Sequence, residues 1–253
     1  MYEGFLDIFD VFLEQSAEFY VWDNAVYLFR AMMTTLTMTI IGCGLGFIFG
    51  MIVVYFRRTP GLMFWPVRMT VIFYVETFRR VPFLVLLFLV MFTVKGFGLD
   101  FSLFTIACIS IVIISTAFIG EIIRAGLDSV HQTQWDTADA MNFSRLQTLR
   151  HVILPQAWKV VLPPAFAFFV MFIKDTALTS QVGVLELTQA GKYYNNLGYS
   201  AILSFGTVLV LYFILSYPMT RLGWWMEARL HTRRRDERAE FEVGATAYEL
   251  RGT

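Results

Sequence analysis

Charge is scarce in this chain: 16% of its 253 residues are Asp, Glu, Lys or Arg, while 57% are hydrophobic. Soluble domains carry about 25% charged residues, so a free-standing soluble protein is excluded and an integral membrane protein is expected. Cysteine is nearly absent. Cys43 and Cys108 both lie in apolar runs and form no CxxC, which removes a disulfide framework and a cysteine zinc site and leaves two small buried hydrophobes. His131, His151 and His231 stand at no metal-ligand spacing. The 20 Lys and Arg residues balance 20 Asp and Glu and are not gathered on one soluble domain, so no nucleic-acid partner is expected. No GxxxxGK[ST] occurs, so no residue of the chain is expected to hydrolyse ATP, and GCGLGFIFG (42–50) fails the GxGxxG spacing. Residues 1–23 contain Glu3, Asp7, Asp10, Glu14, Glu18 and Asp23 but no Lys or Arg, which speaks against a secretory signal peptide.

What the chain has is apolar length. A crossing helix needs about 20 apolar residues, and five stretches reach that, at 24–56, 62–94, 101–124, 157–182 and 199–222. An all-α membrane protein with five transmembrane helices is expected. Ahead of them Phe5, Ile8, Phe9, Phe12 and Leu13 recur at helical spacing. Residues 1–23 therefore read either as an amphipathic interfacial helix with Tyr20 and Trp22 as anchors or as a helix packed before the first span. Lys and Arg set orientation. With the N-terminus outside, the inner segments collect Arg57, Arg58, Arg145, Arg150, Lys159, Arg229, Arg233, Arg234, Arg235 and Arg238, and the outer ones only Lys95 and Lys192 beside Arg30. The expected topology is N-out and C-in.

Gly42, Gly46 and Gly50 recur every four residues in the first span, a small-xxx-small face for close helix packing in lipid. A polar block, WDTADAMNFSRLQTLRHVILP, separates the third and fourth spans on the inner side. Its first half contains good helix formers, and Ser144 with Gln147 makes a capping-box pattern for a second short helix. Leu146, Leu149, Val152 and Ile153 follow at helical spacing, and Pro155 is expected to stop it. Two short helices on a tight elbow form either an ordinary surface loop or a knob that docks in a soluble partner.

The block resembles the EAA loop of ABC-importer permeases, whose pattern is EAA, three residues, Gly, nine residues and I-x-L-P. Asp136-Thr137-Ala138 stands at EAA, Asn142 at the glycine, and Val152 to Pro155 at the close, with the spacing kept. Asn tolerates the left-handed backbone that glycine would provide there. YVETFRRVPFLVLLF (74–88) is similar to Y-x-E-x-x-R-G-T-P-L-L-V of the polar amino-acid branch, with Arg80 and Val81 in place of Gly-Thr. FIGEIIRAGLDSVHQTQWD keeps that branch's Glu121, Arg124, Gly126, Ser129 and Gln134, with His131 and Thr133 in place of Pro and Gly. VILPQAWKVVLPP and FIKDTALTSQVGVLELT resemble its closing signature, while 165–169 lack a polar Gly-Asn found in many members.

The resemblance covers roughly residues 24–230 and implies a type I ABC importer permease fold in a bacterial inner membrane. It also implies partners: two copies of an ABC ATPase that binds ATP and Mg, a second permease subunit (identical or homologous), an extracytoplasmic solute-binding protein and an amino-acid substrate. The lipid bilayer completes the set, and the chain itself needs no cofactor. ATPase coupling would fall to Asp136, Ala140, Met141, Asn142, Phe143, Ser144 and Arg145. The domains expected are 1–23, a permease domain 24–230 with its coupling loop about 126–156, and a cytoplasmic tail 231–253.

Charges inside spans are costly unless paired, which makes Glu76, Arg79, Arg80, Lys174, Asp175, Thr176 and Ser180 the substrate-path candidates. A zwitterionic solute needs one cation and one anion, and both spans offer them. Glu76–Arg79 and Lys174–Asp175 equally suit plain structural ion pairs. Arg80, standing where the family carries glycine, would bias the path toward an anionic solute. The tail opens on a basic cluster suited to the inner leaflet, and its mixed-charge remainder is expected to be disordered. An ion-coupled secondary transporter would share the broken, charged spans but would have no use for the knob.

Overall fold

The structure is a computed structural model and describes residues 14–59 and 61–249, with side chains described as far as residue 229. The amphipathic pattern at residues 5–13 lies outside the described residues. Among the described residues all regular structure is helical. The elements are α1 (Trp22–Arg58), α2 (Trp65–Phe78), α3 (Phe83–Gly96), α4 (Leu103–Asp128), α5 (Gln132–Ala140), α6 (Leu154–Asp175), α7 (Leu187–Asn196) and α8 (Ala201–Glu249). Among the described residues four helical stretches are long and apolar enough to cross a membrane: Trp22–Arg58, Leu103–Asp128, Arg145–Val182 and Ala201–Arg229.

The expected second span is not one straight helix. α2, with its preceding 3-10 turn, and α3 are bent by 117° at a short break, and only as a pair do they make a fifth crossing. Proline explains the break: Pro82 has no N–H to continue α2 and forces the residue before it out of the helical region. Its carbonyl opens α3 instead, accepting Val85 N at 3.1 Å and Leu86 N at 3.2 Å.

Two compact units emerge. The first holds residues 1–124 and 168–217. Two buried hydroxyl side chains in its spans bond within their own helices: Thr39 donates to the Thr35 carbonyl at 2.9 Å and Ser110 to that of Ile106 at 2.9 Å. Between α1 and α4 the approach is close enough for Ser115 Oγ to donate to the Gly42 carbonyl at 2.9 Å. Gly42, Gly46 and Gly50 face Ile111, Ser115 and Gly120 there. Tyr74 of α2 donates to the Ile113 carbonyl of α4 at 2.5 Å. α7, which carries too few apolar residues to stand out as a span, buries Leu187, Ala190 and Tyr194 against Phe19, Leu28, Ala31, Leu203 and Val208.

The second unit holds residues 125–167 and 218–253. Here one expectation is corrected. Pro155 does not stop a helix: a single turn at Arg145–Gln147 passes into π-helical winding over Thr148–Ile153, and α6 starts at Leu154 with Pro155 in its first turn. Proline is tolerated in a first turn, and the wide π-turn relieves the ring's clash with the carbonyl four residues back. The tail expected at 231–253 lies beyond the last residue whose side chain is described, residue 229.

Candidate functional site

The elbow between α5 and the Arg145 turn is built from local capping chemistry. His131 caps the start of α5, its Nδ1 accepting Thr133 N at 3.3 Å. At the other end Asn142 N donates to the Asp139 carbonyl at 2.9 Å and Phe143 N to that of Ala138 at 3.0 Å. Those two bonds form a Schellman motif, which requires a left-handed residue at the first position past the cap. Asn142 occupies it with φ 55°, the one positive-φ non-glycine residue described. The chain then turns at once into the next helical segment. Ser144 N donates to Gln147 Oε1 at 2.8 Å and Gln147 N to Ser144 Oγ at 3.4 Å, completing both halves of a capping box.

The two arms are tied at their base, where Gln156 Nε2 donates to Gln134 Oε1 at 3.1 Å. Ala138 is buried inside the elbow. Asp136, Ala140, Asn142, Ser144 and Arg145 are exposed and Phe143 is half-buried. Met141 is 61% exposed and Leu146 72% exposed, so the tip combines apolar and polar groups on a rigid backbone.

In the first unit the charges sort themselves differently from their order in the sequence. Arg79 and Arg80 diverge at the α2–α3 break. Arg80 pairs with Glu76 one turn back on the same helix. Arg79 turns to Glu121 of α4, 3.6 Å away, with its guanidinium 5.9 Å from the centre of the Phe118 ring. Glu121 is the hub: Arg57 at the end of α1 donates to Oε2 at 2.9 Å, and Arg124 donates to Oε1 through Nε at 3.0 Å. One carboxylate therefore joins α1, the break and α4. Its connection to Arg57 crosses 64 residues of sequence, which is why composition and spacing single out Arg79 but not its partner.

The second group of path candidates ends α6. Lys174 is exposed, Asp175 half-buried, and Thr176 and Ser180 buried in the 3-10 segment Thr176–Val182. Among the described residues no hydrogen bond or ion pair joins this group to Glu76, Arg79 or Arg80. Beside it lie groups that the sequence pattern did not mark. Glu186, fully buried, caps α7 by accepting Thr188 N at 2.9 Å and Gln189 N at 2.8 Å, and it accepts Tyr212 Oη at 2.7 Å. Burial pushes its carboxyl above the usual range, against the bonds from Thr188, Tyr212 and Gln189 that favour the ionised form. Lys192 Nζ donates to Ser180 Oγ at 3.0 Å. Glu186 three residues before Gln189, at the head of an amphipathic stretch, is the one sequence signal that could have found the cap. Among the described residues no group of three His, Cys, Asp or Glu side chains is placed to hold a metal ion.

A helical membrane protein with a broken span, a charge hub at the break and a rigid polar elbow defines a permease-like class, and the comparisons agree. Residues 42–231 match the family described as binding-protein-dependent transport system inner membrane component, and the chain belongs to it. It is 32% identical over 167 residues, 66% of this chain and 72% of the relative, to the probable amino-acid ABC transporter permease protein YckA of Bacillus subtilis (strain 168). It is 28% identical over 212 residues, 83% of this chain and 95% of the relative, to the glutamine transport system permease protein GlnP of Escherichia coli (strain K12). A crystal structure of an amino acid ABC transporter with histidines aligns with TM-score 0.75 and 25% identity over 82% of this chain and 95% of that one. The chain is thus a membrane permease subunit of the amino-acid ABC type.

Proposed function

We propose that this chain is one membrane-spanning half of an ATP-driven importer for polar amino acids in a bacterial inner membrane. In this reading the chain crosses five times, N-out and C-in, with 24–230 as the translocation domain, 1–23 at the interface and 231–253 in the cytoplasm. It works with a second permease subunit, two ATPase subunits that bind ATP and Mg, and an extracytoplasmic binding protein that delivers solute. The elbow carries this reading: a left-handed Asn142 between a Schellman cap and a capping box is a rigid, exposed knob at the spacing of the EAA loop. Pushed by closing ATPase subunits, such a knob transmits force to the spans as rigid-body motion. Asp136, Ala140, Met141, Asn142, Phe143, Ser144 and Arg145 would form the docking face.

The test is ATP-driven amino-acid uptake in vesicles containing the assembled complex. Asn142→Glu combined with Phe143→Asp is expected to reduce uptake to background while the complex still assembles. Asn142→Gly should retain most of it, and Asn142→Val, which costs about 1–2 kcal/mol at a left-handed position, should not. Uptake that follows an ion gradient and ignores both ATP and the elbow would overturn the reading in favour of a secondary transporter.

Glu76, Arg79, Arg80, Lys174, Asp175, Thr176 and Ser180 remain the path residues of this proposal. Arg80 keeps a side chain 71% exposed while paired with Glu76, a geometry in which its charge faces outward. Arg80→Gly is expected to shift the preference between acidic and neutral amino acids about two- to fivefold, as befits an exposed charge. Unchanged selectivity in competition assays would remove Arg80 from the path.

A further inference from the structure

One face of α8 serves neither the elbow, the Glu121 hub nor the Glu186 cap. Arg221, Trp224, Trp225 and Arg229 recur there at three- and four-residue spacing, which puts them on one side of the helix. The opposite side is packed: a Cβ added to Gly223 would stand 3.0 Å from the Phe166 ring of α6. All four residues are exposed, the two indoles by 59% and 53%. Glu227, the acid within this stretch, falls on the other flank by helical geometry.

Two cation–π pairs order the face. The Arg229 guanidinium carbon lies 4.5 Å from the centre of the Trp225 ring, and that of Arg221 lies 5.9 Å from the Trp224 ring. Stacking holds a guanidinium by its flat face. Its N–H groups lie in its own plane, along the edge, and that edge matches two phosphate oxygens at once. An indole favours the boundary between hydrocarbon and headgroups, with its ring in the apolar layer and its N–H in the wet one. Backward along α8 the same spacing runs through Tyr217, Ile214 and Val210, each of them exposed. Toward the C-terminus the side chains thus pass from aliphatic through aromatic to basic, which is the order of layers in one leaflet of a bilayer. Arg233, Arg234 and Arg235 follow in the sequence, and basic residues just past a span attract the anionic lipids of the cytoplasmic leaflet.

We propose that Arg221, Trp224, Trp225 and Arg229 form a headgroup site for an anionic phospholipid of the inner leaflet. The guanidinium edges take the phosphate oxygens, and the indoles lie against the glycerol and the upper acyl chain. The site relies on the importer reading only for placing the C-terminus inside.

The assembled complex, purified in mild detergent, is titrated with phosphatidylglycerol or phosphatidylcholine, and bound lipid is counted by native mass spectrometry. The intact complex is expected to bind phosphatidylglycerol at least about tenfold more tightly than phosphatidylcholine, as two arginine contacts to an anionic headgroup allow. Arg221→Gln with Arg229→Gln should cut that preference at least about fivefold, with the melting midpoint in phosphatidylcholine unchanged. Arg221→Lys with Arg229→Lys should keep an intermediate preference, since the charge stays while the fork and the stacking weaken. No preference in the intact complex, or full preference in the double Gln variant, would overturn the site. A preference lost only when Arg233, Arg234 and Arg235 are replaced by Gln would also overturn it and put the lipid on the tail. Inorganic phosphate displacing phosphatidylglycerol from the intact complex would overturn it in favour of a site for a free anion. A complex that keeps the preference but imports no amino acid with ATP would fail the importer reading alone.

Discussion

Glu121→Ala is expected to lower the melting midpoint of the detergent-solubilised complex by roughly 5–10 °C and to abolish uptake. The carboxylate is the shared acceptor for Arg57, Arg79 and Arg124, and its side chain is only 16% exposed. Removing it leaves like charges facing one another, partly desolvated, at the junction of α1, α4 and the broken span. Breaking a buried pair on one side costs 3–5 kcal/mol; the partial exposure of the arginines reduces this to about 2–4 kcal/mol. Glu121→Gln keeps the shape and one acceptor and should fall between. Arg57→Ala leaves the carboxylate with two partners and should cost less than either. Thermal melts of the three variants check the order, and Arg57→Ala proving the most damaging would mean that Glu121 is not the hub.

Gly46→Ala is expected to be nearly as damaging, although it adds one carbon. A Cβ there would stand 1.9 Å from Ser115 Oγ and 2.7 Å from Ser115 Cβ. Either the two helices separate or Ser115 leaves its bond to the Gly42 carbonyl. Overpacking costs about 1–3 kcal/mol, and the lost hydrogen bond adds about 1 kcal/mol. Gly44, two residues away, has nothing within 4 Å of its added carbon, so Gly44→Ala should be neutral or slightly stabilising through helix propensity. Ser115→Gly should rescue Gly46→Ala in part by clearing the contact. Equal melting midpoints for the variants at 44 and 46 would show that α1 and α4 do not meet at this face.

The contrast between these glycines shows what a spacing argument can reach. Gly42, Gly46 and Gly50 stand on one face because helical geometry puts every fourth residue there, and that much is readable before any fold is known. That Ser115 of α4 is the neighbour is not. The elbow was legible for a related reason: the Schellman bonds and the capping box each connect residues within five positions of one another, so their chemistry is local. Pro155 misled because its usual effect assumes α-helical winding four residues earlier, whereas here that turn is π-helical and spares the ring its clash. Glu186 drew no notice between Leu185 and Leu187: its cap bonds to Thr188 and Gln189 are local, while its bond from Tyr212, 26 residues on, depends on the fold.

By itself the sequence determined that the chain is helical and membrane-embedded, where most helices lie and how the elbow is capped. These follow from apolar length and hydrogen bonds between near neighbours. Tertiary structure alone decided that Arg79 meets Glu121 rather than Glu76, which leaves Glu76 to Arg80 one turn along the same helix. That choice depends on distances between helices far apart in the chain, and in a low-dielectric interior such distances determine whether a charge is compensated.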